Sequence, residues 1–311
     1  MKALILNYPV RTLDGIELFA AGSELSEETI QEARKQHPPG KREYCYLLKH
    51  GSVFNDMLDL MAQPTYSAIY AGPTDRDTIL ALLKNCRVQP IVLASLDYFR
   101  RKDLYTYRHA LMVFALSIML ARHLALPGLD LEQEIIAAGP THDLGKTCIP
   151  LSILTKSTAL TLSDRRYLEH HTAAGFALLA WYSGDMHAPA ARIARDHHER
   201  FDGSGYPSGI HLRDVLVEII AVCDIYDALV SLRPYRLTSF DNRTALEELT
   251  ELADSNALRR EIVQSLVALN RRSRPSAQAC VVSLERRGTP PADNMYGVTV
   301  PEPDAPPPHK S

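Results

Sequence analysis

Residues 107–126, YRHALMVFALSIMLARHLAL, form a run that is mostly apolar along its whole length. Polar and basic residues interrupt the run at both ends, and no uninterrupted apolar stretch approaches the roughly 18 residues of a membrane span. A helix that is apolar on nearly all sides is stable in water only when other elements surround it. The run therefore predicts a buried core helix, and no membrane span is expected.

The sequence around this run also has helical periodicity. From about residue 91 onward, strand patterns are absent and apolar residues recur at helical spacing. Further helices are predicted at 131–139, 160–183, 188–198, 214–232 and 242–253. Residues 91–285 are thus predicted to form an all-α helical domain.

The two ends of the chain differ from this helical part. Residues 1–90 are predicted to form a small accessory or regulatory α/β domain, with strands at 2–9 and 16–20 and a helix capped by Ser26. Residues 286–311 are predicted to form a disordered tail, because they contain seven prolines and few large apolar groups. The predicted fold class is mainly α.

Charge and cysteine content limit the partners and the compartment. The net charge of -3 gives no bulk attraction for a nucleic-acid polymer or an anionic membrane, so an anionic substrate needs local cations. Five scattered cysteines without a CxxC pair favour a reducing compartment, and the N-terminal apolar run is too short for a signal peptide. A cytoplasmic location is expected.

Histidines and aspartates recur through the helical part. Taken singly, each fits a core, surface or capping role, and His123, His187 and His211 are assigned no other role. Five histidines and two aspartates are too many ligands for one ion, but they suit two divalent ions that share a carboxylate. The candidate ligands are His109, His142, Asp143, His171, His197, His198 and Asp224.

The positions of these residues suggest a chemistry. Asp143 directly follows His142, which suits a carboxylate placed between two ions, and two ions roughly 3.5–4 Å apart can clamp a phosphodiester and activate water. His197 and His198 point about 100° apart on a helix, so both can reach one ion only near a helix end. Lys146, Arg233 and Arg236 are candidate cations for the phosphate, and a solvent-exposed role is open for each.

Several motifs together resemble one family. THDLGKTCIP, HHERFDGSGYPSGI, LTKSTALTLSDRRYLEHHTAAGFALL and CDIYDALVSLRPYR are similar to the HD-GYP subgroup of the HD phosphohydrolase superfamily, over roughly residues 95–240. The resemblance implies a seven-helix bundle with two or three metal ions. It also implies hydrolysis of cyclic di-GMP to pGpG or GMP.

The resemblance also implies roles for individual residues. His109, His142 and Asp224 would hold one ion, His171, His197 and His198 would hold the other, and Asp143 would bridge them. Lys146, Arg233 and Arg236 would contact phosphate, with Asp143 and Lys146 as the catalytic residues. Tyr206 would lie against guanine or phosphate, and Gly203 and Gly205 would let the backbone approach the ligand. Fe, Mn, Zn, Ni and Co all suit such ligands.

Two departures from the family pattern lead to further expectations. Tyr105 stands where some members have a third-metal glutamate, so a dinuclear site is expected. Pro140 is expected to kink the helix that leads to His142.

Two alternatives to a cyclic di-GMP phosphodiesterase stay open. One is a cyclic di-GMP receptor that signals through a partner protein, and the other is a hydrolase of another cyclic dinucleotide. The sequence leaves the oligomeric state open, with a homodimer as one option.

Overall fold

The computed structural model describes residues 4–40, 43–70, 73–232, 238–283, 285–292 and 299–301. These residues are mainly helical, as predicted. The α-helices are α1 (Glu27–Gln36), α2 (Val53–Met61), α3 (Ser67–Tyr70), α4 (Pro73–Leu83), α5 (Pro90–Lys102), α6 (Leu104–Leu124), α7 (Leu131–Ala138), α8 (Leu151–Leu154), α9 (Leu162–Glu169), α10 (His171–Ser183), α11 (Pro189–Asp196), α12 (Val215–Val230), α13 (Asn242–Asp254) and α14 (Arg260–Leu269).

The strands are short and occur in pairs. The antiparallel pairs join β1 (Leu4–Ile5) to β4 (Glu24–Leu25), β2 (Val10–Arg11) to β3 (Glu17–Phe19), and β5 (Cys45–Tyr46) to β6 (Arg87–Val88). A parallel pair joins β7 (Leu160–Thr161) to β8 (Thr299–Val300). Single turns of 3-10 helix cover Leu47–Lys49, Pro64–Tyr66 and Leu144–Cys148.

Helix α6 is the centre of the fold, and the prediction of a buried core helix is confirmed. Asp103 caps its first turn by accepting from the backbone N–H of Thr106 at 3.2 Å. Helices α2, α5, α7, α12 and α14 pack around it. Among the described residues α6 alone is long and apolar enough to cross a bilayer, and 83% of its apolar window is buried by these neighbours.

The first 90 residues pack into the same apolar core as the helical part. The predicted Ser26 cap is present, with a reciprocal bond between Ser26 and Thr29. Arg34 of α1 donates to the backbone carbonyl of Tyr182 at 3.2 Å, which ties this region to α10. Helices α2 to α4 were not predicted, although Val53, Met57 and Met61 recur at helical spacing. The boundary at residue 90 stays a prediction.

The segment 160–183 is not the single helix that its periodicity predicted. Thr161 belongs to β7 and caps α9 through a reciprocal bond with Asp164. The chain then breaks at His170, so that His171 becomes the first residue of α10. Periodicity alone would place His171 in the middle of a helix. The break instead directs its side chain toward the centre of the bundle.

The predicted kink at Pro140 is wrong. Helix α7 ends at Ala138, and Gly139 follows it with a φ of 71°, a conformation that glycine adopts without strain. Pro140 therefore lies after the helix and removes no helical hydrogen bond. His142 and Asp143 lie in the turn between α7 and the 3-10 helix Leu144–Cys148.

Pieces of the region 286–311, for which a disordered tail is predicted, contact the helical part of the chain. Arg286 pairs with Glu248 and Glu251 on α13, and the backbone N–H of Gly288 donates to Glu247 at 2.8 Å. Residues 299–300 form β8. Disorder of the tail as a whole stays a prediction. Residues 293–298 and 302–311 lie outside the described part of the chain.

Two glycines bring the metal-ligand segments together. A Cβ on Gly145 would overlap the carbonyl oxygen of His171 and the backbone nitrogen of Gly175. A Cβ on Gly175 would lie 3.1 Å from the nitrogen of Gly145 and 3.2 Å from Cβ of Ala194. The absence of both side chains lets the turn after Asp143 lie directly on α10, next to His171.

We expect Gly145→Ala to lower the free energy of unfolding by at least about 1–3 kcal/mol, because backbone on α10 must move to admit the methyl group. Urea unfolding measures the change. Gly40→Ala is the matched control, since a Cβ there meets nothing within 4 Å. Equal free energies of unfolding for the two variants would contradict the close backbone contact.

Candidate metal centre

The structure brings all seven predicted ligands to one buried place in the helical bundle. They come from α6, the turn after α7, the start of α10, the end of α11 and the middle of α12. Their donor atoms form two groups, His109 with His142 and Asp224, and His171 with His197 and His198. This division matches the one that the family resemblance implied.

The group of His171, His197 and His198 has its ring nitrogens oriented by backbone. Nδ1 of His171 donates to the carbonyl of Leu168 at 2.6 Å, and Nδ1 of His197 lies 3.0 Å from the carbonyl of Ile193. A neutral imidazole that carries its proton on Nδ1 has a bare lone pair on Nε2. These backbone contacts therefore present two Nε2 lone pairs to the centre.

The spacing of these nitrogens fits a shared ion. Nε2 of His171 and Nε2 of His197 are 3.3 Å apart. Neither nitrogen carries a proton in this tautomer, so no hydrogen bond holds them together. Two nitrogens at about 2.0–2.1 Å from one tetrahedral ion are separated by about 3.3–3.4 Å. Nε2 of His109 and Nε2 of His142 show the same 3.3 Å separation. The residues present thus fit a divalent ion in each group.

The adjacent histidines of HHE lie where the sequence required them. Helix α11 ends at Asp196, and His197 is its C-cap, so the backbone of His198 is already outside the helix. The two ring centroids are 4.2 Å apart. Both rings can therefore face the same space, which a continuous helix would not allow.

Asp143 lies between the two groups. One carboxylate oxygen, Oδ2, is 3.4 Å from Nε2 of His142 and 3.6 Å from Nε2 of His109. The other oxygen, Oδ1, is 3.5 Å from Nε2 of His171 and 3.9 Å from Nε2 of His197. Each oxygen faces a different group, as a bridging carboxylate requires.

Lys146 lies against this carboxylate. The 3-10 helix Leu144–Cys148 brings its Nζ to Oδ2 of Asp143 at 2.6 Å. Burial opposes ionisation of Asp143, but Lys146 and His142 hold the pKa of this carboxyl well below its usual value. Asp143 is therefore ionised at neutral pH.

His109 differs in protonation from the histidines of the other group. Burial alone would lower the pKa of His109, but hydrogen bonds to Asp224 and Asp227 outweigh burial and raise it to about 9. Burial lowers the pKa of His171 to about 4 and, with the neighbouring histidines, that of His197 to about 3. At neutral pH His109 is therefore a cation with both ring nitrogens protonated. His171 and His197 are neutral, so each has a nitrogen lone pair that can bind metal.

Asp227 is a residue of the centre that the sequence analysis missed. Its Oδ2 accepts from Nδ1 of His109 at 2.7 Å, and its carboxylate also accepts from the hydroxyls of Tyr66 and Ser231. Asp227 fixes the His109 ring with Nε2 directed at the centre. The signal was present in DIYDA, because Asp224 and Asp227 are three residues apart and share one face of α12.

The GYP loop folds back onto the histidine pair. Glu199, which is fully buried, accepts from the backbone N–H groups of Ser208 at 2.7 Å and Ile210 at 3.1 Å. The Tyr206 ring stacks on His198, with centroids 4.6 Å apart. A Cβ on Gly205 would overlap the backbone of His198 and Glu199, so the folding of the loop itself requires glycine here, and an approach of its backbone to a ligand stays a prediction.

Gly203, Tyr105 and two arginines are the remaining residues that the sequence analysis singled out. Gly203 has a φ of 81°, so its backbone requires glycine. Tyr105, at the position of a possible third-metal glutamate, stacks on His109 with centroids 5.5 Å apart. Arg233 and Arg236 lie outside the described residues.

We expect manganese binding to the His109 group to strengthen about tenfold per pH unit between about pH 6.5 and 8.5. The proton on His109, whose pKa is about 9, must leave before the metal binds. Binding to the His171 group should change little, since its pKa values lie below this range. His197→Ala disables the His171 group and leaves the His109 group, and His142→Ala does the reverse. Equilibrium dialysis of the two variants therefore measures each group separately, and equal pH slopes would contradict the assignment.

We expect Asp227→Asn to weaken metal binding about 10–100-fold, because an oriented His109 loses its carboxylate partner. The pKa of His109 in the metal-free protein should fall at the same time, as an NMR titration can measure. Asp97→Asn is the matched control, because Asp97 pairs with the partly exposed His50 at 2.9 Å. If both variants bind metal like the parent protein, Asp227 has no positioning role.

Comparisons with known proteins agree with this geometry. The family model "HD domain" matches residues 93–260, which is more than half of the chain. "Cyclic di-GMP phosphodiesterase" of Thermotoga maritima is 39% identical over 43% of this chain and 37% of its own length. "Cyclic di-GMP phosphodiesterase PA4108" of Pseudomonas aeruginosa is 40% identical over 47% of this chain and 36% of its own length.

A further relative has a different substrate in its name. "3'3'-cGAMP-specific phosphodiesterase 1" of Vibrio cholerae is 31% identical over 48% of this chain and 34% of its own length. The matched segments span about a third of the length of these three relatives. The family match and the HD and GYP motifs together show that the chain belongs to the HD domain family and to its HD-GYP subgroup.

Proposed function

We propose that this protein hydrolyses cyclic di-GMP, to pGpG or on to GMP, with two divalent metal ions. The observation that carries the proposal is the position of Asp143, whose two carboxylate oxygens face two separate groups of metal ligands. Two adjacent cations are the arrangement that phosphodiester hydrolysis uses. The relatives from Thermotoga maritima and Pseudomonas aeruginosa described above carry cyclic di-GMP phosphodiesterase in their names.

The proposed ligands are the seven residues predicted from the sequence. His109, His142 and Asp224 would hold one ion, and His171, His197 and His198 the other, with Asp143 between them. When bound, the ions would polarise the phosphodiester and lower the pKa of water. Fe, Mn, Zn, Ni and Co all suit imidazole and carboxylate ligands.

The protein's own groups would orient and neutralise the substrate. Lys146 is only 16% exposed at its side chain and lies against Asp143, so its charge is directed into the centre. From there it can neutralise charge that develops on a phosphoryl oxygen. Tyr206, stacked on His198, places an aromatic face beside the same ion site and is the proposed contact for guanine or phosphate. Arg233 and Arg236 stay proposed phosphate contacts on sequence grounds.

A second candidate is hydrolysis of another cyclic dinucleotide. The name of the Vibrio cholerae relative favours 3'3'-cGAMP as that substrate. The metal centre acts on the phosphodiester, which all cyclic dinucleotides share, so it cannot distinguish one cyclic dinucleotide from another. Discrimination depends on how the bases are held.

The compartment and assembly are proposed from the sequence alone. All five cysteines are free thiols, which agrees with a cytoplasmic location. A homodimer or a signalling protein partner stays a prediction.

We expect the purified, metal-loaded protein to convert cyclic di-GMP to pGpG or GMP. Asp143→Asn should lower kcat by more than about 100-fold, because the neutral amide cannot serve both groups of ligands. Product formation is measured chromatographically with Mn²⁺, Fe²⁺ and Zn²⁺ in turn. Asp130→Asn is the control, since asparagine caps α7 as well as aspartate does.

The same assay separates the proposed function from a receptor. Binding of cyclic di-GMP measured by calorimetry, without turnover under any of these metals, would contradict the enzyme and favour a receptor. Turnover of 3'3'-cGAMP but not of cyclic di-GMP would favour the second candidate.

A further inference from the structure

A cavity of about 490 Å³ is lined at one side by His109, and its other lining residues are not proposed metal ligands. One wall is the first two turns of α6, and the end of α12 closes one side. The opposite wall is the segment between α2 and α3, which belongs to the first 90 residues. The volume is within the roughly 300–1,000 Å³ that is typical of small-molecule sites.

The apolar lining of the cavity suits a flat ring. Met112 and Val230 are buried in its floor, and the Tyr105 ring lies beside them, nearly parallel to the His109 ring. At its rim Leu104 and Leu232 are 46% and 66% exposed, unusually so for leucine. A planar heterocycle that entered the cavity would stack on aromatic surface and cover both leucines.

The polar groups of the cavity suit a base rather than a plain hydrocarbon. Gln63 and Thr65 lie on the wall from the first region, and Arg108 lies on the α6 wall. The side chain of Arg108 is exposed, and it forms no ion pair with the described residues. A guanidinium donates two parallel hydrogen bonds to O6 and N7 of guanine, whereas adenine presents an amino group in place of O6.

The wall from the first region is anchored to the metal centre. The hydroxyl of Tyr66 donates to Asp227, which in turn orients His109. The side chain of Ser67 donates to the carbonyl of Pro64 at 2.7 Å and closes the turn. The family match begins at residue 93, so this wall lies outside the part of the chain shared with the family.

We propose that this cavity binds one guanine of the cyclic dinucleotide, with Arg108 contacting the O6 and N7 edge. The segment Gln63–Tyr66 forms the second wall, so the first region of the chain takes part in base selection. This inference rests on the proposed function. The metal centre would then act on the phosphodiester, while Arg108 and a wall that lies outside the family match select the base.

The test compares substrates with and without the base. We expect Arg108→Ala to lower the ratio of kcat/KM for cyclic di-GMP to kcat/KM for bis(p-nitrophenyl) phosphate about tenfold, mainly through KM. The ratio for cyclic di-AMP should fall less, because adenine lacks O6. Gln63→Ala should lower the cyclic di-GMP ratio in the same direction. Arg101→Ala, an exposed cation on α5 outside the cavity, should leave both ratios unchanged.

Two results would overturn the inference. If the kcat/KM ratios of Arg108→Ala equal those of Arg101→Ala, the cavity takes no part in substrate binding. An equal loss for cyclic di-GMP and cyclic di-AMP would assign Arg108 to phosphate and overturn the base contact.

Failure of the proposed function is distinguishable from failure of this inference. If the parent protein hydrolyses no cyclic dinucleotide, the proposed function fails, and equilibrium dialysis with GMP and AMP tests the cavity by itself. Preferential binding of GMP that Arg108→Ala abolishes would support the cavity. Equal binding of GMP and AMP, or none, would overturn it.

Discussion

The buried carboxylate of Asp143 is the group on which the rest of the centre depends. An ionised carboxylate that is nearly excluded from water is costly unless cations and hydrogen-bond donors surround it. Here Lys146 lies 2.6 Å from one oxygen, and ring nitrogens of four histidines lie within 3.9 Å of the two oxygens. Lys146 and the protonated His109 supply positive charge beside Oδ2. His171 and His197 beside Oδ1 are neutral, so that side has room for an additional cation.

The fold supplies this environment through close backbone contacts. Gly145 and Gly175 allow the turn that carries Asp143 to lie on α10, and this contact sets the distance between Asp143 and His171. Helices α6 and α12 pack side by side and bring His109 next to Asp224 and Asp227. His109, His171 and Asp224 are thus held by buried helices, and the turn that carries His142 and Asp143 packs on α10, which keeps these donor atoms close to their binding geometry.

The sequence predicted which histidines and aspartates lie together better than the path of the backbone between them. Imidazole and carboxylate chemistry and the motifs selected seven candidate ligands, and the structure brings these seven side chains together. The turn at His142 and the break at His170 depend on tertiary contacts, which helical periodicity does not reveal. Pro140 shows the difference clearly, because its effect depends on whether α7 has already ended at Gly139.

Asp227 and Tyr66 show a second limit of sequence reasoning. Asp227 stands in a quoted motif, yet its role appears only when His109 is seen between it and Asp224. Tyr66 stands in no motif. Its partner Asp227 is 161 positions away in the chain, so no local pattern reveals the pairing. Its hydroxyl joins the first region to a residue that orients a metal ligand. The first region is therefore structurally part of the centre, and changes in the segment Pro64–Tyr66 can reach His109 through a single buried carboxylate.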